Sequence, residues 1–138
     1  MKTKYYVSLE VSKLLKEKGY KGVCSSFITE DCYEIDKIDK DVLKHTNNVN
    51  RTLYPCPTIH EAAKWLRETH DIHIVVSPHY SRKYEIIEYE YRIATYFDLL
   101  EKPNKWKKSK EYYEKYEQCL NDAILEALKL IDYENHKK

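Results

Sequence analysis

The sequence predicts an α+β domain, in which three helices pack on one face of a small, mainly antiparallel sheet of three to five strands. Three segments repeat apolar residues with the spacing of an amphipathic helix, and several short segments alternate apolar with polar residues. The length of 138 residues fits one ordinary domain. We expect residues 1–133 to form that domain and residues 134–138 to be a frayed polar tail.

The first helix is predicted over residues 9–18. Ser8 precedes it and belongs to the residue types that cap a helix by accepting a backbone hydrogen bond. Val11 and Leu15 lie on one apolar face. Gly19 follows at the position where helices commonly end in a left-handed conformation.

The next segment predicts short strands over residues 23–29 and 33–38. Residues 36–50 are rich in charged residues and asparagine, which is typical of an exposed loop. Residues 49–54 alternate in polarity and predict a short edge strand. Pro55 is expected to end it, because proline cannot donate a hydrogen bond to a sheet.

The second helix, over residues 59–70, has the clearest start signal. Thr58 and Glu61 form the pattern of a capping box, in which each side chain bonds the backbone N–H of the other residue. At 100° per residue one face collects Ile59, Ala62, Ala63, Trp65, Leu66, Thr69 and His70. This face is expected to lie on the core.

The second half predicts two strands and the longest helix. Residues 72–77 alternate until Pro78, which is expected to stop the strand. Residues 84–96 show period two with one apolar face, which favours a half-exposed antiparallel sheet. A basic loop is expected up to residue 108, followed by a helix over 109–132. Its apolar stripe comprises Tyr113, Tyr116, Leu120, Ala123, Ile124, Ala127 and Ile131.

Composition excludes several classes of protein. There are only two glycines, which excludes Gly-rich phosphate loops and the nucleophile elbow of hydrolases. No apolar run reaches the 18 or so residues of a membrane helix, and the first 20 residues resemble no signal peptide. We therefore expect a cytoplasmic protein with reduced cysteines and no membrane partner.

Several segments of the sequence are distinctive as a set, and they include YVSLE at 6–10, KLLKEKGY at 13–20, WLRE at 65–68 and YEKYE at 113–117. Taken together, they resemble a family of small uncharacterised proteins encoded by phages and mobile elements of gut bacteria. The resemblance implies a phage-type accessory protein. It implies no catalytic residues.

The densest potential metal ligands are Cys56, His60, His70 and His73. His60 and His70 would lie about 15 Å apart along one helix, too far for a single ion with bonds of about 2.1 Å. The sequence therefore predicts no metal site, although His70 and His73 with a third ligand from elsewhere stay an open alternative.

Evidence for catalysis is equally thin. No local motif marks a cysteine as an activated nucleophile. Glu88 and Glu90 could lie about 7 Å apart on one strand face, but solvated strands commonly carry such pairs. We expect a protein that is not an enzyme and needs no cofactor.

Two binding functions remain. A basic-aromatic segment could neutralise phosphates and stack on bases, as single-stranded nucleic-acid binding requires. Its candidate binding residues are Lys102, Lys105, Trp106, Lys107, Lys108, Lys110 and Tyr112. The net charge of +1 and the nearby acids Glu111 and Glu114 oppose this reading. The fourteen tyrosines exceed what so small a core can cover, and tyrosine favours contact surfaces. Non-catalytic binding of a protein partner, or self-association, is therefore the first prediction.

Overall fold

The computed structural model has the α+β architecture that the periodicity predicts. It describes residues 5–22, 24, 26–29, 34–35, 53–95 and 106–136, with the side chains of 34–35 and 132–136 excepted. These ranges contain three helices and six strands, which form two antiparallel sheets rather than one. The chain divides into two compact units, residues 1–62 and 63–138. That residues 1–133 form a single domain stays a prediction.

Helix α1, Leu9–Glu17, begins and ends as predicted. The hydroxyl of Ser8 accepts a hydrogen bond from the N–H of Val11 at 3.3 Å. Gly19 has φ +78°, and the N–H of Tyr20 returns to the carbonyl of Leu15 at 2.9 Å. This pairing satisfies a carbonyl that the end of a helix leaves open.

The first sheet has the order β2-β1-β3, with β1 at Phe27–Ile28, β2 at Glu34–Ile35 and β3 at Tyr54–Pro55. Helix α1 packs against β3. The predicted loop 36–50 lies outside the described residues. Pro55, which was expected to end the edge strand, is its last residue and is itself paired with β1. The N–H of Cys56 bonds toward β1, so the preceding nitrogen, in Pro55, faces away from it.

Helix α2 occupies Ile59–His70, and its capping box is confirmed. The Thr58 N–H donates to Glu61 Oε1 at 2.9 Å, and the Glu61 N–H donates to Thr58 Oγ1 at 3.2 Å. Two N–H groups that the helix itself cannot satisfy are thus paired reciprocally.

We expect Thr58→Ala to lower the free energy of unfolding by about 1 kcal/mol, the usual cost of losing such a cap. Glu61→Ala should cost less, and the double variant should cost less than the two singles together, because both residues serve one box. Urea unfolding measures all three variants. An unchanged urea midpoint for Thr58→Ala would contradict this role.

The second sheet has the order β4-β5-β6, with β4 at His73–Ser81, β5 at Ile86–Ala94 and β6 at Lys107–Lys108. Strands β4 and β5 form a regular hairpin in which Val76 lies opposite Tyr91. The expectation that Pro78 ends β4 is wrong, since the strand runs three residues further.

The reason is the direction of the backbone groups. The backbone N–H and C=O groups of Tyr89 point away from β4 and bond to Tyr113, and those of Tyr91 bond to Ser109. Directions alternate along a strand, so the even-numbered residues of β5 face β4, and their partners are the odd-numbered residues of β4. Pro78 therefore has its nitrogen on the outer edge, where no ladder bond is lost.

Helix α3 occupies Tyr116–His136 and packs against β4 and β5. The expected start at residue 109 is wrong because the preceding segment lies extended along β5. Lys107–Lys108, expected in a loop, form β6. Tyr113, expected on the helix, exchanges two backbone hydrogen bonds with Tyr89, of 2.7 and 2.8 Å.

The core of the second unit contains most of the residues that periodicity places on apolar faces. Ile74, which the alternation over residues 72–77 places on the same side as Ile72, is only half-buried. Buried residues include Trp65, Leu66, Ile72, Ile93, Leu120, Ile124, Ala127 and Leu128. Within the described residues, no helix combines the length and apolarity needed to cross a membrane.

Candidate interaction site

The basic-aromatic segment that the sequence singles out lies partly in the described structure. Lys102 and Lys105 are outside the described residues. Lys107 and Lys108 are neighbours on β6. Because side chains alternate between faces along a strand, these two lysines point to opposite faces of the sheet. The segment therefore does not gather its cations on one surface.

Lys107 is paired with helix α3. Its ammonium lies 2.8 Å from Oε2 of Glu126, and Lys129 lies 3.3 Å from the other carboxylate oxygen. The hydrogen bond from Lys107 is the largest cause of a lowered pKa at Glu126; partial burial acts against it, and Lys129 adds to it. Lys107 thus already faces a carboxylate before any ligand arrives.

The other described residues of the segment differ in exposure. Trp106 is half-buried, whereas Lys108, Lys110 and Tyr112 are exposed. The Tyr112 ring stacks on His79, with centroids 4.5 Å apart and planes 16° from parallel. This stack leaves one face of Tyr112 to meet a ligand.

Tyr113 is half-buried. Its ring lies 6.1 Å from the ring of Tyr91, and its hydroxyl hydrogen-bonds with Asp122. Burial and that bond raise the pKa of Tyr113. The hydroxyl therefore stays protonated and donates to the carboxylate.

An open depression of about 370 Å³ lies beside the start of α3. It is lined by Glu111, Tyr112, Tyr113, Glu114, Lys115, Gln118 and Asp122. Three carboxylates there face one ammonium, a balance that repels phosphate groups.

Among the described residues, a group of large apolar side chains that are exposed and close together in sequence lies at the turn of the β4–β5 hairpin. Tyr80, Tyr84 and Ile87 are 58%, 63% and 57% exposed, and Ile86 is also exposed. We call these four residues the hairpin end. Tyr80 and Ile87 lie opposite each other on the two strands, so they share one face.

Within the hairpin end, Tyr80 and Ile87 continue the apolar face of the sheet beyond helix α3. Tyr91 and Ile93 on this face are buried, whereas Ile87 is not. The first residue of α3, Tyr116, meets Tyr89 edge-on at 5.8 Å. The sequence does not reveal the hairpin end, because the alternation over residues 84–96 assigns Ile87 to the same apolar face as Ile93. A residue on that face is expected to be buried.

The histidines and carboxylates considered for metal binding or catalysis lie apart. Among the described residues, no three His, Cys, Asp or Glu side chains form a group that could hold a metal ion. His73 Nε2 lies 2.8 Å from Asp71 Oδ1, and His70 packs edge-on against Trp65 at 4.7 Å. Glu90 lies 3.8 Å from Arg92.

Three cysteines lie in the described part of the chain, and all carry free thiols, as predicted. The Cys24 thiol donates to the carbonyl of Ser26 at 2.9 Å. Burial raises the pKa of Cys24, and it raises the pKa of Cys119 to about 12. Because the thiolate is the nucleophile, these two thiols are poorly reactive at neutral pH.

His70 makes stability depend on pH. Its Nε2 is buried, with no hydrogen-bond partner among the described residues, and burial lowers its pKa from 6.5. The unfolded chain therefore binds a proton at a higher pH than the folded chain does. The free energy of unfolding is fully retained above pH 6.5 and falls as the pH decreases toward the folded-state pKa.

We expect His70→Gln to flatten this dependence, because glutamine does not titrate. Urea unfolding measures the free energy of unfolding at several pH values between about 4.5 and 7.5, a range that includes the unperturbed histidine pKa. His60→Gln, at an exposed position of the same helix, is the control and should keep the wild-type slope. An unaltered slope in His70→Gln would refute the assignment.

Comparison of the chain with protein-family models, with curated proteins and with solved structures finds no match.

Proposed function

We propose that this protein is a non-catalytic interaction module that binds a protein partner through the hairpin end. The observation that carries the proposal is the exposure of Tyr80, Tyr84 and Ile87 close together in sequence at the turn of the β4–β5 hairpin, with Tyr80 and Ile87 directly opposite each other. A phage-type accessory role in the cytoplasm is part of the same proposal.

The size and chemistry of this surface support a protein partner. A tyrosine side chain offers about 150–250 Å², so Tyr80 and Tyr84 alone expose roughly 200–300 Å². Apolar patches of a few hundred Å² on monomers are often functional. Tyrosine is also enriched among the residues that contribute most to protein–protein binding. Lys83, whose ammonium lies 5.3 Å from the Tyr84 ring, adds charge at the rim.

A capture experiment from host lysate, with and without nuclease, tests the proposal. We expect a protein that is retained by the wild-type chain after nuclease treatment and is lost with Tyr84→Ser/Ile87→Ser. Tyr5→Ser is the matched control, since Tyr5 is similarly exposed but belongs to the first unit. Equal capture by all three chains would contradict the proposal, as would capture that nuclease abolishes.

Single-stranded nucleic-acid binding is the second candidate function. Lys108, Lys110 and the open face of Tyr112 favour it, whereas the ion pair of Lys107 with Glu126 and the acidic depression oppose it.

Fluorescence anisotropy on labelled poly-dT tests this second candidate. Under our proposal the chain shows only weak association that disappears at about 0.15 M salt. If the segment binds DNA instead, Lys107→Glu/Lys108→Glu should reduce the slope of log K against log salt by about 0.7 per lost contact. Trp106→Ala should then cost roughly 1–3 kcal/mol. Sub-micromolar binding that resists salt and requires Trp106 would overturn the first choice.

A further inference from the structure

The outer edge of strand β4 faces away from β5 and is open as far as the described residues go. The even-numbered residues of β4 direct their backbone groups away from β5, as derived above for Pro78. Ile74, Val76 and Tyr80 each offer one N–H and one C=O there, and Pro78 offers its C=O. Among the described residues, none donates to or accepts from these groups, and β4 is the edge of its sheet.

This edge has few of the features that usually prevent strands from pairing. Natural proteins protect edge strands with charged side chains, prolines, bulges or short length. β4 is nine residues long, reads HIVVSPHYS, and contains no lysine, arginine, aspartate or glutamate. Its register with β5 is uninterrupted from His73 to Ser81. Only Pro78 acts as a partial block.

We propose that this edge pairs with the same edge of a second copy of the chain, forming a two-fold symmetric dimer with a continuous six-stranded antiparallel sheet. We place Val76 opposite Val76 of the second copy, a register that accommodates Pro78. The two valines then exchange two hydrogen bonds. The N–H of each Ile74 donates to the carbonyl of Pro78 in the other copy, so the missing N–H of proline costs one bond per copy.

The chemistry of the edge favours a second copy over a different chain. An uncharged strand offers no charge pattern by which to select an acidic or basic partner, but two uncharged strands meet without repulsion. Antiparallel pairing of identical strands satisfies the self-complementarity of a two-fold interface. One strand pair makes a small interface, so the dimer is reversible and roughly micromolar in affinity.

This inference goes beyond the proposed function, since it concerns the backbone edge of β4 rather than the side chains of the hairpin end and needs no outside partner. Sedimentation velocity of the full chain over a range of concentrations tests it. We expect the mass to rise with concentration from 16.7 kDa toward twice that value.

Two edge variants and one control locate the interface. Val75 is 42% exposed on β4, and Val75→Lys puts two lysines at diagonal positions about 8 Å apart across the dimer, which should raise the dissociation constant at least tenfold. Pro78→Thr supplies the missing N–H and should lower the constant several-fold. Ile87→Lys adds the same charge on β5, away from the edge, and should leave it unchanged.

A wild-type chain that stays monomeric up to about millimolar concentration would overturn the proposal, because an interface of this size should associate at lower concentrations. So would a dimer that withstands Val75→Lys, or one that Ile87→Lys dissociates while Val75→Lys does not. Circular dichroism establishes that each variant is folded. The tighter dimer expected for Pro78→Thr cannot result from a loss of stability. The sedimentation results for the wild-type chain and for the variants do not depend on whether the capture experiment finds a protein partner.

Discussion

Replacing Ile124 by alanine is expected to lower the free energy of unfolding by about 2–5 kcal/mol. Ile124 is fully buried in helix α3, which packs against β4 and β5. Truncation removes three carbons from the apolar core and leaves a cavity that the surrounding helix and sheet can fill only partly. For a domain with a stability of about 5–15 kcal/mol this is a large fraction of the total.

The neighbouring residue provides a matched control. Leu125 lies one position further along the same helix but is only half-buried. Leu125→Ala removes the same number of carbons and should cost clearly less than Ile124→Ala. Urea unfolding at constant pH measures both variants. Equal losses would show that helix α3 is not oriented toward the sheet as described.

The second large effect concerns binding. Tyr84→Ser/Ile87→Ser should weaken capture of the protein partner at least about 30-fold, because a single side chain of high importance contributes about 2 kcal/mol or more. Both side chains are more than half exposed. Their replacement should therefore change the free energy of unfolding by only about 0.5 kcal/mol or less each. A folded variant with lost binding is the signature of a contact surface.

Local signals in the sequence predict the parts of the fold that depend on neighbouring residues. The capping box of Thr58 and Glu61 and the left-handed Gly19 each act within a few residues, so their positions are readable directly. The helices that they bound agree with the structure to within a residue.

The errors arise where distant pairing decides. A proline ends a strand only if its nitrogen faces a neighbouring strand, and that depends on a partner which the local pattern does not specify. Pro55 and Pro78 both direct the nitrogen away from the neighbour. Tyr113 has helical spacing with Tyr116, yet its backbone pairs with Tyr89 and delays the helix to residue 116.

The candidate site shows the same division. The sequence correctly marks the segment around residue 106 as rich in lysine and aromatic residues, but not that Lys107 pairs with Glu126 nineteen residues later. The hairpin end could not be recognised from alternation, because period two separates the faces of a strand without showing how far a covering helix extends. Only the start of α3 at Tyr116 distinguishes the buried part of the face from the exposed part.

The most direct test of the proposed function is the affinity of the captured partner for three purified chains. The chains are wild type, Tyr84→Ser/Ile87→Ser and Lys108→Glu/Lys110→Glu, and titration calorimetry gives each dissociation constant. We predict that the hairpin variant loses at least about 30-fold in affinity and that the lysine variant stays within about threefold of wild type, as expected for charges outside the contact. Full affinity in the hairpin variant, together with loss in the lysine variant, would contradict the account.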